Sequence, residues 1–442
     1  MTELFRVRRG MPRRLNSRTQ LDRTPGETSS TNDREGPVAQ RSAQRGSRTL
    51  MRELNVSLLI ELVRSARSIS RAELARQSQL SAPTVGTIVD QLIERGILVE
   101  VALAPSNGGR PPVLLSIDAT AGYVIGIKLR GDGLTTVICD LEAEIVATRE
   151  FPVSLVGDSD GAILAIVSEV REVLRDAKVP RSKVLGLGIG MSGVIDSNAG
   201  VCVSSHLLQW HNVEIESKLR RLLRLPVWID NDVNTLAVAE KWSGDARGAR
   251  DFVTLSIGRG IGLGIVIDRS LYRGAFGSSG EFGHIIVEPG GPICECGRSG
   301  CLEAVVGEDS MRREIGDQLG REVSREEMIA LVNAGDQTTH KIVESAGQKL
   351  GISVANVMTL LNPELLIICG EGTELGATFL DPIVRSVREQ TFASLGLKIE
   401  VKIQRWGDEA WAVGAATLVL RESFSLPGSD ARSMAIWHRA GL

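Results

Sequence analysis

The chain contains no apolar run of the roughly 18 residues that a membrane helix needs. Its first residues, MTELFRVRRGMPRRLNSRTQ, lack the apolar core of a secretory signal. Six cysteines in 442 residues are too few for a disulfide scaffold. Together these absences lead us to expect a cytoplasmic protein with no membrane partner. A formal net charge of −3 gives no overall pull toward nucleic acid, so any DNA contact must come from a local patch. Apolar and charged fractions are those of an ordinary globular chain, and the length suggests about three domains. Cys139, Cys202 and Cys369 lie in apolar, strand-like runs and read as small buried hydrophobes. The other three cysteines are clustered.

Residues 1–48 are rich in Arg, Ser, Thr, Gly and Pro and have almost no apolar periodicity. Such a segment cannot bury enough surface to offset ordering, and it reads as a disordered leader or an over-long start. A basic arm on DNA phosphate is the functional alternative. A first domain is expected over 49–118. Leu54, Leu58, Leu59, Leu62 and Val63 recur at helical spacing. Ser70 and Glu73 suit a capping box that opens a short second helix. Ser81 suits the cap of a third, with Pro83 in its first turn and Gly96 at its end. ILVEVALA and VLLSI then read as two strands around SNGGRPP. Helix, short helix, turn, helix, hairpin is the order of a winged helix-turn-helix.

The third helix would enter the major groove by its N-terminal end, offering Ser81, Thr84 and Thr87 to phosphates and base edges. Gly86, inside that helix, costs about 1 kcal/mol against alanine, and close approach to DNA is one reason to keep it. Arg110, in the wing, suits a narrow minor groove. A purely oligomerising helical module is the bland alternative.

From Gly122 onward strands and helices alternate. YVIGIKL, LTTVICDL and EIVATREF suggest a three-strand meander, followed by a helix at 160–176, strands at KVLGLGIGM and PVWI, and a helix from Asp232. The pattern restarts at DFVTLSIG, GIGLGIVID and SLYRG. A long helix is expected at 336–361, then the strand ELLIICG, a helix near 380–393, the strand LKIEVKIQ and a last helix from Asp408. Two successive βββαβα-type halves predict an α/β protein with two related lobes and a cleft between them. The first lobe is expected over 119–231 plus about 410–442, the second over 232–409.

GHIIVEPGGPICECGRSGCLE, at 283–303, has the arrangement H-x9-C-x-C-x4-C. One imidazole and three thiols in a short stretch suit a closed, tetrahedral Zn2+ site formed by His284, Cys294, Cys296 and Cys301. Gly290, Gly291, Gly297 and Gly300 would let the backbone wrap around the ion. A disulfide would leave one thiol unpaired, a catalytic zinc would need an open position, and nothing favours a redox pair. The reading is therefore a structural zinc.

The same residues resemble a known signature. Glu281-Phe-Gly-His284, followed by C-E-C-G-x-x-G-C-L-E ending at Glu303, is similar to the ROK family of repressors, open reading frames and kinases. The resemblance runs from about Met51 and includes the G-G-R-P wing, the loop at 258–262, Asn231-Asp232 and L-N-P-E at 361–364. It implies a winged helix joined to a two-lobed actin-like, hexokinase-like ATPase fold. It also implies a sugar site made by Asn231, Asp232, Glu281, His284 and Glu303, with zinc on the same histidine and the three cysteines. Acidic and amide groups suit the hydroxyls of a sugar ring. Trp210 would either wall that pocket or fill the core.

Family kinases carry D-x-G-G-T where this chain has Lys128-Leu129-Arg130-Gly131-Asp132, and G-T-G-I-G where it has Gly258-Arg259-Gly260-Ile261-Gly262. The metal-holding Asp and an open glycine loop are missing, so phosphoryl transfer loses its electrostatic clamp. Asp232 would be the base in a kinase. The expectation is a non-enzymatic, sugar-responsive regulator, a repressor, acting as a homodimer or homotetramer on operator DNA with a sugar or sugar phosphate as effector. Lys128, Arg130 and Arg259 would favour a phosphorylated ligand if they face it. An active ATP-dependent sugar kinase and a repressor answering to a protein partner are the alternatives.

Overall fold

The computed structural model describes residues 37–103, 112–405 and 407–424. The chain divides into a unit up to Thr49 and a unit from Leu50 onward. Helix α1 (Pro37–Ala66) begins inside the segment expected to be a leader. Proline suits a first helical position, and the Ala, Gln and Arg that follow are good helix formers. Leu59, Ile60 and Val63, in the second half of this helix, are fully buried, and the apolar periodicity lies there.

The second unit opens with a winged helix. After α1 come β1 (Ile69–Ser70), α2 (Arg71–Ser78), α3 (Ala82–Glu94), β2 (Leu98–Leu103) and β3 (Val113–Ile117). Ser70 Oγ accepts from Glu73 N at 3.2 Å, but the Glu73 carboxylate turns to Arg76 and Gln77, so it is Ser70 that serves as the cap. Ser81 caps α3 by accepting from Thr84 N. Val85, Ile88, Val89 and Leu92 form its buried face. The strands pair antiparallel in the order β1-β3-β2.

The region of the first large sheet contains β4 (Tyr123–Leu129), β5 (Gly133–Cys139), β6 (Ile145–Pro152), α4 (Ser159–Asp176), β7 (Val184–Met191), a small sheet of β8 (Val194–Asp196), β9 (Val201–Ser205) and β10 (Trp210–Val213), then α5 (Ile215–Leu223) and β11 (Val227–Asn231), and it is followed by α6 (Asp232–Trp242), which packs on strands of both large sheets. The region of the second large sheet contains β12 (Phe252–Ile257), β13 (Ile261–Ile267), β14 (Ser270–Leu271), α7 (Leu302–Val306), α8 (Glu308–Leu319), α9 (Arg325–Ala334), α10 (Gln337–Leu361), β15 (Leu365–Cys369), α11 (Ala377–Gln390), α12 (Leu395–Lys398) and β16 (Glu400–Ile403). Helix α13 (Asp408–Phe424) returns to the first sheet.

The two large sheets have orders β6-β5-β4-β7-β11 and β14-β13-β12-β15-β16. Each is an antiparallel meander followed by two parallel additions, so one topology occurs twice. This is the doubled pattern expected for the actin-like fold. Helices α8 and α9 were not anticipated, and the run LKIEVKIQ divides into α12 and the four-residue β16. Gly396, in α12, packs tightly against the carbonyls of Val387 and Arg388 at the end of α11.

Helix α13 lies on β4, β5 and β7, and α6 packs on both α13 and β13. The approach is close enough that a Cβ at Gly126 or Gly188 would collide with the carbonyls of Ala412 or Ala415. One apolar cluster runs from Leu59, Val63 and Leu115 of the winged helix through Val124 and Trp228 to Trp242, Phe252 and Phe424. The winged helix therefore shares a core with the lobes. Among the described residues no helix is long and apolar enough to cross a membrane.

Glu240 on α6 is fully buried and accepts from Asp245 N at 2.7 Å. Burial pushes its carboxyl up to about 7. Between the ordinary glutamate value near 4.3 and about 7, the unfolded chain is ionised there while the folded chain holds a proton. Stability from this group is therefore present at low pH and is lost as pH rises through that window. Replacing Glu240 by Gln should leave stability at pH 4.5 nearly unchanged and raise it at pH 8 by about 2–3 kcal/mol in urea titrations. An equal effect at both values would contradict the assignment.

Candidate functional site

Asn231 ends β11 and caps α6. Its Oδ1 accepts from Val233 N at 2.9 Å, and its Nδ2 donates to Gly193 O at 3.1 Å. The preceding residue, Asp230, is 1% exposed, binds Arg273 at 2.6 Å and accepts from Asn231 N. This buried pair holds the turn that delivers Asn231 and Asp232. Asp232 is the first residue of α6, where the helix dipole favours a carboxylate.

Lys128, at the end of β4, forms an ion pair with Asp232 Oδ2. Both side chains are nearly buried, at 13% and 12% exposure. The Lys128 ammonium also sits 4.5 Å from the centre of the Trp411 ring, a cation–π contact. Residues from β4, α6 and α13 thus meet at one point.

Across the cleft, Glu281 and His284 come from the short turn after β14, and Glu303 from the first turn of α7. Glu303 Oε2 accepts from Ile261 N at 3.0 Å. Burial above all pushes the Glu281 carboxyl above its ordinary range; His284 opposes this, while Asp232 and Glu303 add to it. Asn231, Asp232, Glu281, His284 and Glu303 all line a single cavity of about 1700 Å³. Trp210 does not line it: the side chain is 2% exposed and its Nε1 donates to Leu155 O at 3.0 Å, so it is a core residue.

The ligand atoms of His284, Cys294, Cys296 and Cys301 lie within 4.8 Å of one another. Cys294 Sγ is 3.5 Å from His284 Nδ1, and Cys296 Sγ is 3.6 Å from Cys301 Sγ. A tetrahedral ion with sulfur at about 2.3 Å places its ligands about 3.8 Å apart, so the cluster can hold a metal. All three thiols are free. Burial pushes the Cys294 thiol upward, so a thiolate there needs a cation beside it. Gly290, Gly297 and Gly300 have φ of 79°, 83° and 76°, and a Cβ at Gly300 would strike the Glu288 carbonyl. Gly291 is not in this region of φ; it packs on Glu288 instead. His284 Nδ1 faces the cysteines while Nε2 is 3.9 Å from Glu281. The cluster thereby braces one wall of the cleft.

At the start of α3, Ser81 and Thr87 are exposed and Thr84 is partly so. Ser81 Oγ and Thr84 Oγ1 are 2.8 Å apart, and Thr87 Oγ1 donates to Pro83 O. Nothing lies within 4 Å of a Cβ built on Gly86, so no packing within the chain requires a glycine there. Arg110 lies outside the described residues.

Sequence reasoning missed Asp230, Arg273, Trp411 and Glu371. The carboxylate of Glu371 lies against Gly258, where a Cβ would collide with it. Only the E-x-G-H and cysteine signatures gave a local signal. The other positions come from separate strands and helices and carry no spacing pattern.

This geometry is that of a two-lobed protein with an acidic, zinc-motif-braced cleft and an integral winged helix. The family model for ROK matches residues 124–422, and the chain belongs to the ROK family. It is 30% identical over 398 residues to the xylose repressor of Caldicellulosiruptor bescii, covering 86% of this chain and 99% of that one. It is 27% identical over 394 residues to the DNA-binding transcriptional dual regulator NagC of Escherichia coli K12, covering 86% and 95%. Among solved structures, a ROK family transcriptional regulator homologous to E. coli MLC superposes with a TM-score of 0.76 at 23% identity, covering 88% of this chain and 99% of that one. A ROK family glucokinase from Streptomyces griseus, solved with glucose and AMPPNP, gives 0.58 at 25% identity, covering 67% and 99%.

The Lys128–Asp232 pair can be tested by itself. Lys128→Met leaves a carboxylate without its partner and should cost about 2–4 kcal/mol, somewhat less than a fully enclosed pair because the cleft admits water. Adding Asp232→Asn should recover most of that loss in denaturant titrations. Additive losses would show that the two side chains do not interact.

Proposed function

We propose that the chain is a sugar-responsive transcriptional repressor, with the winged helix on operator DNA and a sugar or sugar phosphate in the cleft. The observation that carries this reading is the continuous apolar core that joins the winged helix to the lobe bearing Asn231 and Asp232. The names of its relatives, a xylose repressor and NagC, support it. Against phosphoryl transfer stands the Lys128–Asp232 pair: an ammonium already occupies the carboxylate that a kinase would use as its base. The chain acts as a homodimer or homotetramer, so that paired recognition helices meet a two-fold operator. Zn2+ fills the His284, Cys294, Cys296 and Cys301 cluster and fixes the Glu281 wall.

Coupling runs along α6. Its first residue, Asp232, lines the cleft, and its last, Trp242, meets the DNA-binding unit. The Arg64 guanidinium of α1 lies 4.1 Å from the Trp242 ring centre and donates to Trp242 O at 3.1 Å. Arg247, just beyond α6, donates to Arg64 O. Trp242 also stacks on Phe424 of α13 at 5.8 Å. A ligand that binds one setting of α6 better than another changes how α1 is held, and hence the spacing of the recognition helices.

The reading is tested with a DNA duplex that the protein itself selects from a random pool. A monosaccharide panel should contain a sugar that weakens binding to this duplex, and Arg64→Ala should keep sugar affinity while losing that effect. An operator affinity indifferent to every sugar would sink the reading. Gly86→Ala should stabilise α3 by about 1 kcal/mol and yet weaken DNA binding, since the added methyl meets only DNA. Unimpaired binding would remove Gly86 from the interface. Metal analysis should find Zn2+, and its removal by chelator should lower the melting temperature and sugar affinity together. Unchanged melting after verified metal loss would contradict the structural site.

A further inference from the structure

Three cations of the cleft each have an acidic neighbour within the protein, and one of them, Lys128, is nearly buried. Lys128 is paired with Asp232 and seated on Trp411. Arg130 contacts Asp132 at 3.2 Å and donates to Thr135 Oγ1 at 3.2 Å. Arg259 reaches Glu295 at 3.4 Å. The residues lining the cavity include seven Lys or Arg and nine Asp or Glu, so the wall as a whole is not cationic.

The glycine loop between β12 and β13 is also occupied. Backbone N–H groups in such a loop bind phosphate when they are free and aimed outward. Here Ile261 N donates to the Glu303 carboxylate at 3.0 Å, and Gly258 N donates to Gly260 O at 3.0 Å. The Glu371 carboxylate lies directly on Gly258. A phosphoryl group entering from this side meets two carboxylates and amides already taken. One entering beside Asp232 meets a carboxylate and an ammonium that has already given its charge away. Like charges set against the wrong ligand act as a device of rejection.

We infer that the cleft selects an uncharged carbohydrate and rejects phosphorylated sugars and nucleotides, with the Lys128–Asp232 pair and Glu371 as the residues that set this choice. This rests on the sugar-sensing reading above and narrows its ligand class. Lys128 orients Asp232 as an acceptor for a sugar hydroxyl. Trp411 holds the ammonium against that carboxylate, so the charge that could greet a phosphate is spent within the protein. Glu371 takes the volume over Gly258 that a phosphate would need.

The test is calorimetry on the full-length protein with xylose, glucose, N-acetylglucosamine, the 6-phosphates of the two hexoses, and ATP. At least one neutral sugar should bind, its 6-phosphate, where there is one, should bind at least about tenfold more weakly, and ATP should give no heat. Glu371→Gly should create measurable ATP binding, and failure to do so would overturn the role given to Glu371. A 6-phosphate binding as tightly as its parent sugar would overturn the inference and leave the sugar-sensing reading standing. No binding by any carbohydrate would overturn that reading, and the inference with it.

Discussion

The ion pair between Lys128 and Asp232 is the interaction on which the rest of the cleft depends. It joins β4 to the first residue of α6 and is backed by Trp411 of α13. A mostly buried carboxylate at a helix N-terminus needs compensating charge, and the Lys128 ammonium supplies it from within the chain. A divalent ion and a nucleotide could bring compensating charge only from outside. With the compensation built into the chain, the carboxylate has no call on a metal for its charge.

That local fact has consequences through the packing. Helix α6 lies between α13 and the second sheet, its start at the cleft and its end at Arg64 of α1. Because the apolar cluster is continuous from α1 to Phe424, a shift of α6 cannot be absorbed in a soft linker. Close-packed interiors pass on displacements of this kind. On the opposite wall His284 lies between the cysteine cluster and Glu281, with Nδ1 toward Cys294 and Nε2 toward the carboxylate. One wall thus carries a cluster able to hold a metal, and the other is linked to the winged helix.

Much of this was legible in the sequence. The twofold repeat of a meander followed by parallel strands showed in the alternation of apolar runs, and the winged helix in the capping serines and the turn residues. The signature around His284 named the family and gathered positions that share one cavity. What was not legible has physical causes. The start of α1 rests on propensity without periodicity. Helices α8 and α9 bury few residues each, so their pattern is faint. Trp411, Glu371 and the Asp230–Arg273 pair act through three-dimensional proximity between distant segments. Lys128, Arg130 and Arg259 could be read as departures from a kinase pattern, but their partners could not. Of these, it is the partners of Lys128 that turn a cation into an internal counter-ion.

The most direct test of this account is a coupled assay for phosphoryl transfer from Mg-ATP to a panel of hexoses and pentoses. With Asp232 neutralised by Lys128 and Glu371 over the glycine loop, turnover should not rise above the protein-free background. Turnover in the usual enzymatic range of about 1–1000 per second would contradict it, because Asp232 would then have to be free to take a proton.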